Sequence, residues 1–252
     1  MTVAQQGLPL KRDPPYVSII VPVLNERLVI SQTLEQLQLL RERGAQVIVV
    51  DGGSHDGTVM QSEPLADVMC MSEPGRARQM NAGACLATGD VLLFLHADTL
   101  LPKDADQIVL QALGHRTETE QGQSGESTST PAKWGRFNVT ISGKHPMLVV
   151  VASLMNWRSR LTGIATGDQG IFVDRELFEA VGGFPEQPLM EDIAMCILLK
   201  RYGRPACLRQ KVITSGRRWE TRGVWRTIGL MWQLRWRYWR GESPGALAQK
   251  YR

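Results

Sequence analysis

The sequence predicts an α/β fold built on one mostly parallel sheet, and three observations carry that prediction. Short apolar runs rich in β-branched residues alternate with segments of helical period. The runs are nearly continuous rather than alternating, as in strands buried on both faces. Their spacing leaves room for right-handed helical crossovers between parallel strands. At 252 residues and 28.1 kDa the chain makes one ordinary α/β domain, or one domain with an appendage. With 43% hydrophobic and 21% charged residues, it is neither wholly disordered, nor collagen-like, nor a small disulfide-stapled domain.

In chain order, residues 1–16 read as a tail punctuated by Pro14-Pro15. Residues 17–23 form the first buried strand. Residues 26–43 carry Leu28, Ile30, Leu34, Leu37, Leu39 and Leu40 at mostly helical spacing, and Gly44 stops the helix. A second strand at 47–50 ends in Asp51-Gly52-Gly53, and a weaker helix follows at about 58–65. Residues 77–86 are read as a third helix and 91–95 as a strand, closing a first half at 113. Residues 114–133 form a polar segment without period, predicted to be a mobile loop. The second half, 134–216, holds a strand at 171–173, a helix at 175–181 stopped by Gly182-Gly183, and a helix at 191–201 ended by Gly203. Residues 217–252 form a basic, aromatic, helical extension, and no internal repeat is present.

The net charge of +4 is small, and its excess is concentrated in that extension. Cys70, Cys85, Cys196 and Cys207 form no CxxC and sit near no His at zinc-finger spacing, so they read as buried free thiols in a reducing cytoplasm. The N-terminus has no apolar signal core, and the apolar stretches fall short of the ~20 residues that span a bilayer. A cytoplasmic protein is expected, either soluble or resting on the inner face of the membrane.

In an open parallel sheet, ligands bind beyond the carboxyl ends of the strands. Three predicted strands end in polar residues: Pro22-Val23-Leu24-Asn25-Glu26, Asp51-Gly52-Gly53-Ser54, and His96-Ala97-Asp98-Thr99. Turn chemistry explains any one of these ends, but three on one rim point to a site. Neither GxGxxG nor GxxxxGK[ST] is present, so dinucleotide and P-loop readings fail on their own motifs. A rim with Asp98 and His96 suits Mn²⁺ or Mg²⁺, which would neutralise a diphosphate leaving group.

The blocks VSIIVPVLNE, VIVVDGGSHDGT, GRARQMNAGACLATGDVLLFLHADT and GGFPEQPLMED, in this order, resemble family 2 glycosyltransferases with the GT-A fold. The last two, with TGDQGIFV, look like a small bacterial subgroup, and the resemblance covers roughly residues 17–215. It implies a nucleotide-sugar-binding first half and an acceptor-binding second half. Pro22, Asn25, Glu26, His96 and Ala97 would line the nucleotide-sugar pocket. Asp51 would read the base, usually uracil in this family, since a carboxylate accepts from an imide N–H. Arg78 would lie over base and diphosphate, with Arg76 the competing choice. Asp98 matches the metal-binding end of the Asp-x-Asp motif, whose first Asp is His96 here. Asp192 of the Glu191-Asp192 pair would be the general base of an inverting transfer. Two acids opening a helix can also simply complement its dipole. Gly167, Asp168 and Gln169 would form a loop near sugar and acceptor. The partners implied are a UDP-sugar and a hydroxyl acceptor.

The extension holds five of the seven Trp. On a helix over residues 223–240, Trp225, Ile228, Trp232, Trp236 and Trp239 share one stripe, and Arg222, Arg226, Arg237 and Arg240 the adjoining flank. Such a helix either docks its Trp stripe on the domain or lies in a membrane interface beside a lipid-linked acceptor. Nucleic acid is not expected as a partner, because no binding module accompanies the arginines. A nucleotidyltransferase would show a Gly-rich basic loop after the first strand, which PVLNERLVI lacks. A non-catalytic lipid- or protein-binding relative is the other alternative, opposed by the presence of Asp51, Asp98 and Asp192.

Overall fold

The computed structural model describes residues 16–115 and 131–251. The tail 1–15 and most of the predicted loop, 116–130, lie outside the described residues. Eight strands form one sheet: β1 (Val17–Val23), β2 (Gln46–Asp51), β3 (Val68–Met71), β4 (Val91–Phe94), β5 (Thr99–Leu100), β6 (Trp134–Ser142), β7 (Ile171–Asp174) and β8 (Ala206–Ser215). Their order is β3-β2-β1-β4-β7-β6-β8-β5. β3, β2, β1 and β4 run parallel, as does the β6–β8 pair, while β7 is antiparallel to β4 and β6, and β5 to β8.

β1 is buried along its whole length because it is central and covered on both faces. Val17, Ile19, Val21 and Val23 pack with α1 (Ile30–Glu42) through Leu34 and Leu37, whereas Ile20 packs on the other face with α3 (Arg76–Leu86) through Ala77 and Met80. This is the period of two expected of a strand. Pro22 is tolerated in so central a strand because β4 pairs with β1 only from Val17 to Ile20. Beyond Ile20 the two strands part, and the crevice that opens is the switch point of the sheet.

The predicted elements recur with shifted ends. Helix α1 starts at Ile30, not residue 26, because residues 25–29 turn and leave Leu28 in solvent. The weaker helix is α2 (Thr58–Ser62) with a 3-10 turn at Glu63–Leu65. A helix not foreseen, α4 (Ala105–Ala112), buries Val109 and Leu110 on the first core. Another, α5 (Met147–Thr162), lies on β6, followed by α6 (Arg175–Ala180) and α7 (Glu191–Leu199). The chain ends in α8 (Arg217–Arg222), α9 (Val224–Trp239) and α10 (Pro244–Tyr251). All four cysteines are free, but only Cys196 is buried; Cys85 is exposed. Among the described residues no helix is long and apolar enough to cross a membrane.

The extension docks, but its long helix does not do so by its tryptophans. Helix α9 buries Val224, Thr227 and Leu234, with Met231 and Tyr238 packed against Met190 and Leu247. Trp225, Trp232, Trp236 and Trp239 are exposed. Leu, Met and Tyr on the opposite side fill the seam, so the docked-stripe alternative does not describe this helix.

Candidate active site

At the carboxyl ends of β1 and β4 lies an open cavity of about 500 Å³. Its wall includes Pro22 and Glu26 from the β1 end, His96, Ala97 and Asp98 from the β4 end, and Gly167 and Asp168 from a 3-10 turn (Gly167–Gln169). Glu191 and Asp192 come from the first turn of α7, and Arg76 from the start of α3. The extension closes the remaining side with Arg217, Arg218, Trp219, Arg222, Arg235 and Tyr251. Five carboxylates therefore face five guanidiniums across one polar cavity. Such a cavity is built for a charged ligand rather than an apolar one.

The loops after β1 and β2 are zipped together. Asn25, at φ 55°, donates its backbone N–H to Ser54 Oγ and accepts from His55 N–H. Glu26 N–H donates to Thr58 Oγ1. Asp51 is fully buried at the end of β2, and its Oδ2 accepts the N–H groups of Gly53 and Ser54. Its Oδ1 is buried without a hydrogen-bond partner, an arrangement native proteins rarely leave unless a ligand or water completes it. Neither the buried Asp51 nor the exposed Asn25 lines the cavity wall.

The two candidate arginines separate clearly. Arg78 pairs with Glu73 at 2.7 Å and Glu186 at 3.3 Å and does not line the cavity. Arg76 lines it, 3.7 Å from Glu191. Asn81 of α3 clamps this arrangement: its amide donates to Phe184 O and accepts from Phe184 N–H, tying α3 to the Gly182-Gly183-Phe184 turn that leads into α7.

Asp192 is held from both sides. Oδ2 accepts from Gly167 N–H at 3.0 Å and Oδ1 from Ile193 N–H at 2.7 Å. Burial, then repulsion from neighbouring Glu191, push its carboxyl up to about 6 against those two hydrogen bonds and Arg76. Met190, just before it, takes the left-handed conformation at φ 66°, a strain typical of positions fixed by function. Asp168 goes the other way. Burial raises it, but the hydrogen bond and charge of His96, with Arg76 and Arg218, outweigh burial and hold it below the usual carboxylate range. His96 Nδ1 lies 3.1 Å from Asp168 Oδ1. A Cβ on Gly167 would collide with the His96 ring, so only glycine lets loop and imidazole approach this closely. Gln169 does not face the cavity: it is buried, caps its own turn with Thr166, and donates to Ser159 Oγ.

Asp98 is half-buried on the rim, and its carbonyl accepts from Ser215 N–H. Among the described residues no three His, Cys, Asp or Glu are gathered as a ready-made metal site. Asp98, which lines the cavity, offers the carboxylate oxygen chemistry that a hard divalent ion takes.

Sequence reasoning missed Arg217 and Arg218, which bring the extension over the site. Arg217 reaches Glu26 at 3.2 Å. Arg218 stacks over Tyr251 at 4.7 Å, and desolvation and then Arg76 lower its pKa, partly countered by Asp168 and Asp98. The Arg-Arg pair was visible, but nothing local distinguished it from the solvated arginines downstream.

Residues 18–174 match the Glycosyl transferase family 2 profile. The chain is 27% identical over 254 residues to "Probable glycosyltransferase YdaM" of Bacillus subtilis, covering 92% of this chain and 56% of that one. It is 25% identical over 190 residues to poly-beta-1,6-N-acetyl-D-glucosamine synthase of Staphylococcus aureus, covering 71% and 44%. The chain thus spans about half the length of these curated relatives. Among solved structures, the mannosyltransferase PcManGT of Pyrobaculum calidifontis, in complex with GDP-Man and Mn²⁺, is similar at TM-score 0.57 and 22% identity, covering 83% of this chain and 60% of that one. S. aureus TarS 1–349 in complex with UDP-GlcNAc is similar at TM-score 0.58 and 17% identity, covering 79% and 58%. Both likenesses establish the shared GT-A fold, and the profile match over most of the sheet makes this chain a member of glycosyl transferase family 2.

Proposed function

We propose that the protein transfers a sugar from a nucleoside-diphosphate sugar to an acceptor hydroxyl, with inversion. The observation that carries this reading is a carboxylate raised to about 6 in a polar cavity that also gathers five guanidiniums. Asp192 accepts the proton of the acceptor hydroxyl as its oxygen attacks the anomeric carbon. A base poised near 6 is ionised at neutral pH yet basic enough to work, and Gly167 and Ile193 hold its two oxygens in place. Glu191 supports it by orienting Arg76. Arg76 and Arg218 supply positive charge to the departing diphosphate, and their mutual proximity already calls for an anion between them.

Pro22, Glu26 and Ala97 shape the floor under the nucleotide, and Asp51 Oδ1 completes its hydrogen bonding on a base N–H. Asp98 would hold a divalent ion such as Mn²⁺ or Mg²⁺, which would neutralise diphosphate charge when bound. Gly167 and Asp168 face sugar and acceptor. Relatives of the same fold have been captured with GDP-Man and Mn²⁺ and with UDP-GlcNAc, which supports a nucleotide-sugar donor. Given the exposed Trp stripe of α9, the acceptor is a lipid-linked hydroxyl met at a membrane surface.

The test is a thermal-shift screen of UDP-, GDP- and ADP-sugars with Mn²⁺, followed by product analysis of the donor that binds. A ligand specific for the folded state raises the melting temperature. The absence of a shift with every nucleotide sugar would reject the reading.

A further inference from the structure

A second exposed apolar stripe lies on α5, outside the site. Val150, Leu154, Trp157 and Leu161 fall within an arc of about 60° when placed at 100° per residue, and they are exposed by 45%, 55%, 63% and 65%. The opposite side of α5, through Leu148, Val151 and Ala152, is buried on β6. On α9, Trp225, Trp232, Trp236 and Trp239 also share an arc of about 60°.

The two helices meet near their N-terminal ends. Val224 and Ile228, at the start of α9, pack into the same cluster as Leu148 and Val151 of α5. On the α9 wheel, the Trp arc begins next to Ile228, on the side where that contact ends. The far side of α9, through Thr227, Met231 and Leu234, lines the cavity. One helix therefore separates the site from the exposed aromatic face.

We propose that α5 and α9 together form one docking face for an anionic lipid bilayer. The inference rests on the membrane reading of the extension and adds the second helix to it. Charge complementarity selects the occupant. Neither 16-residue helix contains Asp or Glu, whereas Arg160 and Arg226 are exposed on them and Arg240 is exposed directly after α9. Arg240 lies over the Trp236 ring at 5.2 Å, so the cation is held at the depth of the aromatic belt. Exposed tryptophans beside arginines suit an interface that is apolar below and phosphate-rich above. Docked this way, the cavity wall formed by α9 lies against the membrane, and a lipid-linked acceptor need not leave the bilayer.

The experiment is co-sedimentation of the full chain with phosphatidylcholine vesicles and with phosphatidylcholine/phosphatidylglycerol vesicles, at low and high salt. Three proteins are compared: wild type, Trp157→Ser/Leu161→Ser on α5, and Trp232→Ser/Trp239→Ser on α9. Wild type should bind the anionic vesicles at low salt and be released by high salt. Each double variant should weaken partitioning by about tenfold or more, because both lose apolar area transferred into the interface. Leu154→Ser serves in place of the α5 double variant if that protein melts early. Binding lost in the α9 variant but unchanged in the α5 variant removes α5 from the face and leaves the extension reading intact. No binding of wild type to anionic vesicles overturns both. Self-association in sedimentation equilibrium that the α5 variant abolishes makes a second copy the occupant and also overturns the proposal. A nucleotide thermal shift is read on the same proteins. A retained shift without vesicle binding sinks the surface alone; vesicle binding without a shift sinks the donor site alone.

Discussion

Asp192→Asn should weaken catalysis and strengthen the fold at the same time. The ordinary carboxyl value is 3.8, and in this cavity it rises to about 6. The folded protein therefore keeps the proton to higher pH than the unfolded chain. Stability from this group is fully present below about pH 4 and is lost as pH rises through 6. The difference corresponds to about 3 kcal/mol for a fully desolvated group. Asp192 is only partly buried and faces an open cavity, so water recovers some of that cost. Asn also cannot accept from both Gly167 and Ile193 with equal strength, a loss of about 1 kcal/mol. The net gain at pH 8 is about 1 kcal/mol, or about 2–4 °C in melting temperature for a chain of this size. It should vanish near pH 4, where wild-type Asp192 is already neutral. Differential scanning fluorimetry of both proteins from pH 4 to 8 reads this directly. In parallel, kcat should fall by a factor on the order of 10²–10⁴ with donor affinity retained. The wild-type rate should rise with pH through about 6, and the variant should lack that limb. A variant less stable than wild type at pH 8, or one that loses donor binding along with activity, would refute the reasoning and make Asp192 structural.

Other consequences are checked on the same footing. Asp98→Asn should fold normally and lose most turnover, and wild type in excess chelator should behave alike; full activity in either case would remove the metal role. Asp51→Ala deletes the buried, unpartnered oxygen, and nucleoside-diphosphate affinity measured by calorimetry should fall about tenfold to a hundredfold; unchanged affinity would show that the base is read elsewhere. Arg76→Ala should depress kcat strongly, whereas Arg78→Ala, which breaks only surface pairs with Glu73 and Glu186, should leave it near wild type; the reverse result would put Arg78 over the diphosphate.

Periodicity and punctuation were enough for the class of fold. β1, buried on both faces, must be a continuous apolar run, and Gly44, Gly183 and Gly203 end helices because left-handed backbone favours residues without Cβ. The strand-end residues Glu26, His96 and Asp98 were legible for the same reason: polar groups just past a buried run mark the end of a strand, where the sheet opens to ligands. Other features needed the tertiary structure, because they depend on contacts between segments far apart in sequence. The choice of Arg76 over Arg78 turns on which guanidinium meets Glu191 and which meets Glu186, a difference of two positions that a helix converts into different faces. The separation of Gln169 from Asp168 is likewise one step along a turn, inward to Ser159 or outward to His96. The raised carboxyl of Asp192 exists only where α7, the Gly167 turn and Arg76 converge. Hydrophobic pattern showed that α9 was amphipathic but not which apolar side would be buried. Leu234 and Met231 fit the seam against Met190 and Leu247, and the larger tryptophans were left outside because packing, not hydrophobicity alone, selects what fills a seam.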